Sequence, residues 1–91
     1  MSKTVSRIEF RQPHIFTKKL NDDIAGLAFQ DLGVAFIDPR QTNRDYFLTS
    51  FHELLHLMLP DLKEKKIFEL ERKYGAALWR VVLRLNRRKK I

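Results

Sequence analysis

The chain of 91 residues is long enough for one small domain and too short for two, so a functional site must share side chains with the only core. It has no cysteine, which excludes disulfide bonds, thiolate metal sites and a cysteine nucleophile, and leaves nitrogen and oxygen as metal ligands. The net charge of +7 favours binding to phosphates or to an acidic partner.

The first third of the chain predicts a small sheet. Val5 to Arg11 can form one strand, and Ala25 to Gln30 and Val34 to Asp38 flank "DLG", a connection of the length that joins hairpin strands. The "DPRQ" that follows breaks the sheet. We therefore expect a short antiparallel sheet of about three strands.

The sheet is followed by a predicted helix from Asn43 to Leu59. Thr42 can cap it, and Asp45 at the third helical position can form the reciprocal hydrogen bond of a capping box. Pro60 ends it, because the residue before a proline is pushed out of the helical region.

A second helix is predicted to begin at Asp61-Leu62-Lys63-Glu64, which has the pattern of a helix cap, and to end at roughly Arg88. The order β-β-β-α-α predicts an α+β fold in which a two-helix hairpin packs on the sheet. We expect residues 1–91 to form this single domain, with a basic helix end over residues 80–91.

The sequence predicts neither secretion nor a membrane span. Met1 to Phe10 lacks the apolar segment and small-residue cleavage site of a standard signal. The longest nearly apolar run, Leu54 to Pro60, is far shorter than the ~20 residues that a membrane span needs. We therefore expect a cytoplasmic protein without a membrane partner.

The first predicted helix carries the stretch "HELLH" at residues 52–56. On a helical wheel, five polar side chains share one arc, and nearly all other directions between Phe47 and Leu59 are apolar. This polar stripe consists of Asp45, Thr49, His52, Glu53 and His56. Burial of such groups without partners costs on the order of several kcal/mol, so the stripe requires an explanation.

Histidines at i and i+4 direct two ring nitrogens at one point, as two ligands of a metal site must. The stripe predicts one zinc-like divalent ion on His52 and His56, with Glu53 as the general base that activates a metal-bound water. Asp45 and Thr49 are expected to support the ligands. The alternative is a chance match, since five-letter matches arise in many sequences; the confinement of the polar residues to one arc favours the metal.

The third ligand is open, because two acids lie on the predicted inward face of the second helix. That face consists of Ile67, Leu70, Tyr74, Ala77, Leu78, Val81, Val82 and Leu85. The candidates are Glu64, just past the turn near His56, Glu71, which lies nearer the level of His52 in a simple antiparallel hairpin, and Asp61; the remaining alternative is water or no third protein ligand. For Glu64 the alternative is a helix cap formed with Asp61. His14, which follows Pro13, is expected to lie on a surface loop rather than on the metal.

Three segments, "IDPRQ", "LTSFHELLHLMLPDLKEKKI" and "AALWR", resemble the small zincin-like metallopeptidases often found among phage and prophage sequences. The resemblance covers roughly Gly33 to Arg80. It implies a minimal zincin with His52 and His56 as ligands and Glu53 as base. Glu64 lies at the acidic position of the pattern P-D-L-x-E, so the resemblance makes it the first choice of third ligand, ahead of Glu71 and then Asp61. The chain has no glycine-containing extension with a third histidine after His56, so it does not follow the metzincin pattern.

Two functions follow from these features. The first is a zinc-dependent peptidase, with an extended peptide substrate paired beside Phe29-Gln30 and Val34 to Asp38, unless these strands only form the core. The second is a non-catalytic, metal-containing module that binds nucleic acid or protein through its basic end.

The basic end contains Arg80, Arg84, Arg87, Arg88, Lys89 and Lys90. These cations predict weak, salt-sensitive nucleic-acid binding, or a solvated helix end in which they complement the helix dipole. Trp79 follows the apolar spacing of the second helix and is expected in the core.

Overall fold

The computed structural model describes residues 12–89, with side chains through residue 88. A three-stranded sheet packs on one helix, and a longer helical rod packs on another side of that helix. The predicted α+β class is confirmed. The central position of the first helix explains why its sequence is apolar in nearly every direction.

The strands are β1 His14–Thr17, β2 Gly26–Phe29 and β3 Val34–Ile37, in the order β1-β3-β2. The predicted hairpin is confirmed as the antiparallel pair β2 and β3, and its turn contains Gly33 at a φ of 67°. The sheet is mixed, however, because β1 runs parallel to β3. The prediction of an all-antiparallel sheet was therefore wrong, and the predicted strand Val5 to Arg11 lies outside the described residues.

An ion pair between the buried Asp38 and the exposed Arg40 accompanies the parallel pairing. Asp38, at the end of β3, accepts hydrogen bonds from the backbone N–H of Leu20 at 2.8 Å and from Arg40 Nη2 at 2.7 Å. Arg40 Nη2 also donates to the carbonyl of Leu20 at 2.7 Å. The loop after β1 is thereby held across the end of β3, so the chain enters β2 on the opposite side.

Helix α1, Asn43–Met58, matches the predicted helix to within one residue at its end. The predicted cap is confirmed, because Thr42 Oγ1 accepts a hydrogen bond from the backbone N–H of Asp45 at 3.1 Å. After α1, a short turn leads into the rod. Within the part of the chain that the structure describes, no helix has the length and apolar character needed to cross a membrane.

The rod consists of α2 Glu64–Leu70, a π-helical segment Glu71–Gly75 and α3 Ala76–Lys89. Lys63 occupies the cap position of α2 and makes no side-chain capping bond. The predicted cap by Asp61 was wrong, because the turn closed by the hydrogen bond from Leu62 N–H to the carbonyl of Leu59 delays the helix until Glu64. Asp61 is left exposed in this turn.

The core is small, with Ala35, Ile37, Leu48 and Ile67 as its buried apolar residues among those described. Trp79 is half-buried, with its ring 5.6 Å from that of Phe47. Only part of the predicted inward face of the rod is shielded from solvent.

Four residues of that predicted face are exposed: Tyr74 (58%), Leu78 (46%), Val81 (37%) and Leu85 (49%). The π-helical segment takes more residues per turn than an α-helix and so rotates the faces that follow it. The rod is also longer than the 16-residue α1 and continues past the start of that helix.

Candidate metal centre

The two histidines of the polar stripe meet one carboxylate from the rod. His56 Nε2 lies 2.6 Å from Glu64 Oε1, and His52 Nε2 lies 3.2 Å from the same oxygen. One ligand atom from each of the three side chains lies within 4.8 Å of the others. His52, His56 and Glu64 therefore form a group that could hold a metal ion, and they are the first-choice ligands predicted from the sequence.

Glu71 contacts the other side of His52. Its Oε1 lies 2.8 Å from His52 Nδ1, whereas Glu64 faces Nε2 of the same ring. A carboxylate that accepts from Nδ1–H fixes the tautomer and the orientation of a ligating imidazole. Glu71, the second candidate from the sequence, is thus located to orient His52 and does not join the ligand group.

This orientation leaves a deficit of positive charge in the group. When His52 Nδ1–H donates to Glu71, the Nε2 of a neutral ring has only a lone pair, and that lone pair faces the carboxylate of Glu64 at 3.2 Å. Two acceptors at this distance need a proton or a metal ion between them. His52 is buried, with 7% of its surface exposed, so its ring has little contact with water that could supply this proton.

Glu53 is half-buried and faces strand β2. Burial raises the pKa of the Glu53 carboxyl above its ordinary value, although the nearby His52 and His56 act in the opposite direction. A raised pKa makes a carboxylate a better proton acceptor near neutral pH.

Gly26 allows the backbone of β2 to approach Glu53 closely. A Cβ atom at this position would lie 2.7 Å from Thr49 Cγ2 and 2.9 Å from Glu53 Cγ, which is closer than such atoms can approach. The absence of a side chain at Gly26 therefore determines the distance between the sheet and the predicted base.

An open groove of about 610 Å³ lies between β2 and the side of α1 that carries Glu53 and His56. Its lining comprises residues 26–32, Glu53 and His56. β2 is an edge strand, and Asp38 N–H donates to the carbonyl of Ala25 at 2.9 Å. By the alternation of an antiparallel ladder, the backbone groups of Gly26 and Ala28 then point away from β3, towards the free edge.

The other predicted site residues lie elsewhere. Asp45 is exposed in the first turn of α1, near Arg44, and does not reach the histidines. Thr49 lies next to Glu53 across Gly26, and its hydroxyl donates to Gln41 Oε1 at 2.9 Å. His14 is exposed, as predicted, but it begins β1 rather than lying on a loop.

Two further residues at the site were not predicted from the sequence. Phe68 packs its ring edge-to-face against His52, with centroids 4.6 Å apart. Its position four residues after Glu64, on the same helical face, was an available signal. Gln30 Nε2 donates to the carbonyl of His56 at 2.9 Å and so joins the end of β2 to α1, a contact that no local sequence pattern indicates.

The basic end forms part of α3. The side chains of Arg80, Arg84, Arg87 and Arg88 are exposed, whereas the side chain of Lys89 and all of Lys90 lie outside the described residues. The predicted nucleic-acid binding stays a prediction.

No protein-family model, curated protein or solved structure matches the chain. The resemblance to small zincin-like metallopeptidases therefore rests on the sequence segments alone.

Proposed function

We propose that the chain is a zinc-dependent metallopeptidase that hydrolyses a peptide bond in an extended substrate. The observation that carries this proposal is the convergence of His52, His56 and Glu64 beside Glu53, at the wall of an open groove. Nitrogen and carboxylate oxygen are ligands that zinc accepts, and three protein ligands are typical of catalytic zinc sites.

The ligand group fits a divalent ion in number and in chemistry. Ligand atoms around a tetrahedral zinc at ~2.1 Å are roughly 3.4 Å apart, close to the 3.2 Å between His52 Nε2 and Glu64 Oε1. The 2.6 Å between His56 Nε2 and Glu64 Oε1 is shorter, so these two side chains would move apart to admit the ion. Zinc held there would supply a Lewis acid for the peptide carbonyl and for the attacking water. Glu71 would keep the His52 ring in the tautomer that ligation requires.

Glu53 would carry the protons of the reaction. Its carboxylate would take a proton from the attacking water as the water oxygen bonds to the carbonyl carbon, and would pass a proton to the amine nitrogen as the C–N bond breaks. Burial, which raises the pKa of Glu53, supports both steps because it strengthens the carboxylate as a base and leaves its acid form available as a donor.

The free edge of β2 suits an extended substrate. The backbone groups of Gly26 and Ala28 can pair with a peptide that adds to the sheet next to Glu53. This arrangement refines the expectation from the sequence: the free edge belongs to β2, while β3 is central and paired on both sides.

The alternative is a structural metal site in a non-catalytic module. A structural zinc is normally enclosed by four protein ligands. Within residues 12–88 the group has three members, and the adjacent groove is open. Both observations favour catalysis.

The test uses zinc-loaded protein and an unfolded protein substrate. Glu53→Gln should retain zinc but lose at least roughly a hundredfold in peptidase rate, because the amide cannot accept the proton. Glu69→Gln is the control: this acid lies on the same rod and pairs with Lys66 at 2.9 Å, away from the group, so its removal should leave the rate unchanged. Equal rates for the parent and Glu53→Gln, or no hydrolysis by the zinc-loaded parent, would reject the proposal.

A further inference from the structure

The rod carries, from the π-helical segment into α3, an exposed apolar stripe that the metal centre does not use. Its members are Tyr74, Leu78, Val81 and Leu85, between 37% and 58% exposed. Their intervals of four, three and four residues place them along one side of the rod. The stripe extends over about 16 Å, or three helical turns. Such a stripe is what a helix presents to a second helix.

Cations flank this stripe. Arg84 and Arg88 follow Val81 and Leu85 by three residues, so each lies beside the stripe on the same border, and both are exposed. The sequence contains no acidic residue after Glu71. The stripe is therefore an apolar seam with positive charge along its side, and α3 itself contains no acidic residue to neutralise that charge.

The charge pattern discriminates between occupants. A second copy would bring its own arginines against those of the first, and like charges at the flanks of a helix pair oppose association. Nucleic acid would use the arginines but would leave the apolar side chains without a contact. An amphipathic helix with acidic flanks satisfies both features, because its apolar face covers the seam and its carboxylates pair with the guanidinium groups.

We infer that the Tyr74–Leu85 stripe of the rod is a docking surface for an acidic amphipathic helix of a partner protein. The stripe lies towards the opposite end of the rod from Glu64, since Leu78 is 14 residues further along and about 21 Å away along the axis. A docked helix would therefore leave the groove beside Glu53 open. The surface is independent of the proposed peptidase activity and can be tested on the full chain without a substrate.

The first experiment measures binding to a labelled three-heptad peptide with leucine at its a and d positions and glutamate at e and g. A scrambled peptide of the same composition has the same charge but no apolar face. We expect the ordered peptide to bind at least roughly tenfold more tightly than the scrambled one, because only its leucines form a continuous seam. Equal binding of the two peptides would overturn the inference, because charge alone would then explain it.

Serine substitutions locate the contact. Leu78→Ser and Leu85→Ser should each weaken peptide binding by roughly tenfold. The matched control is Leu83→Ser, because Leu83 is 39% exposed on the same helix but lies about 140° around it from Leu78. Helix content and zinc content should stay unchanged in all three variants. Equal loss from Leu83→Ser and Leu78→Ser would overturn the inference.

A charge exchange completes the test. The double variant Arg84→Glu, Arg88→Glu should no longer bind the glutamate-flanked peptide. It should instead bind a version of the peptide with lysine at e and g. Parallel measurements use a single-stranded DNA oligonucleotide, phosphatidylserine vesicles, and light scattering of the chain alone. The inference is overturned if Leu78→Ser and Leu85→Ser weaken binding to DNA or vesicles, or dissolve a dimer, while leaving peptide binding unchanged.

Discussion

Asp38 and Glu53 are carboxylates beside the same sheet, but their surroundings move the two pKa values in opposite directions. Hydrogen bonds from Arg40 and from the backbone N–H groups of Arg40 and Leu20 hold the pKa of Asp38 well below its usual range. Burial raises the pKa of Glu53. The hydrogen bonds to Asp38 favour its charged form, whereas burial disfavours the charged form of Glu53.

The same contrast separates the two clusters as a whole. Around Asp38, a guanidinium neutralises the buried charge, and the cluster joins two loops. At the metal centre, the carboxylates of Glu64 and Glu71 instead contact histidine ring nitrogens. The Asp38 carboxylate is thus paired within the protein, whereas His52, His56 and Glu64 form a group that could hold a metal ion.

The largest effect on zinc affinity among the carboxylates is expected at Glu64. Glu64→Ala removes a direct ligand and should weaken zinc binding by more than roughly tenfold, measured by competition with a chelator dye. Asp61→Ala is the matched control, because Asp61 lies three residues earlier, is exposed, and is outside the ligand group. If Glu64→Ala binds zinc like the parent, Glu64 is not a ligand.

A smaller effect is expected at Glu71, which contacts His52 rather than the ion. Glu71→Ala should weaken zinc binding by roughly tenfold through loss of ring orientation. The effect should disappear in a His52→Ala background, since no oriented ring then remains. A further loss of affinity in that background would contradict the orienting role.

Gly26→Ala should affect catalysis more than metal binding. The added methyl group would displace Thr49 and Glu53, so the peptidase rate should fall several-fold, roughly in line with a misplaced general base, while zinc is retained. Gly33→Asn is a suitable control, because asparagine tolerates the positive φ of 67° and no atom would lie within 4 Å of its Cβ. An unchanged rate for Gly26→Ala would show that Glu53 has room to move without loss of function.

Asp38→Asn should not change zinc affinity but should change the dependence of stability on pH. The pKa of Asp38 is lower in the folded protein than in the unfolded chain, where it is about 4. Ionised Asp38 therefore stabilises the fold above about pH 4, and this contribution is lost progressively as the pH falls below that value. The melting temperature of the parent should therefore fall more steeply between about pH 5 and pH 3 than that of Asp38→Asn. Parallel pH profiles would contradict this account of the cluster.

The parts of the fold that depend on neighbouring residues could be predicted from the sequence. The β2–β3 hairpin, the Thr42 cap and helix α1 each follow from a short pattern. The parallel pairing of β1 could not be predicted, because it is accompanied by contacts of Leu20 with Asp38 and Arg40, which lie 18 and 20 residues away from it in the sequence.

The candidate site likewise has some features that the sequence predicts and others that it does not. His52 and His56 share a helical face by their spacing, and Glu64 follows the turn after α1 closely enough to meet them. The separate role of Glu71 depends on which ring nitrogen it contacts, and the π-helical segment that begins at Glu71 has no sequence pattern that indicates it. Both features are properties of the packed helices.

Zinc content of the purified protein is the most direct test of the central claim, that His52 and His56 hold a divalent ion. Elemental analysis after dialysis against trace zinc should find about one zinc per chain in the parent and in Asp38→Asn, and none above background in the double variant His52→Ala, His56→Ala. Circular dichroism should show that the double variant remains helical. A parent without zinc, or a folded double variant that retains one zinc per chain, would contradict the account.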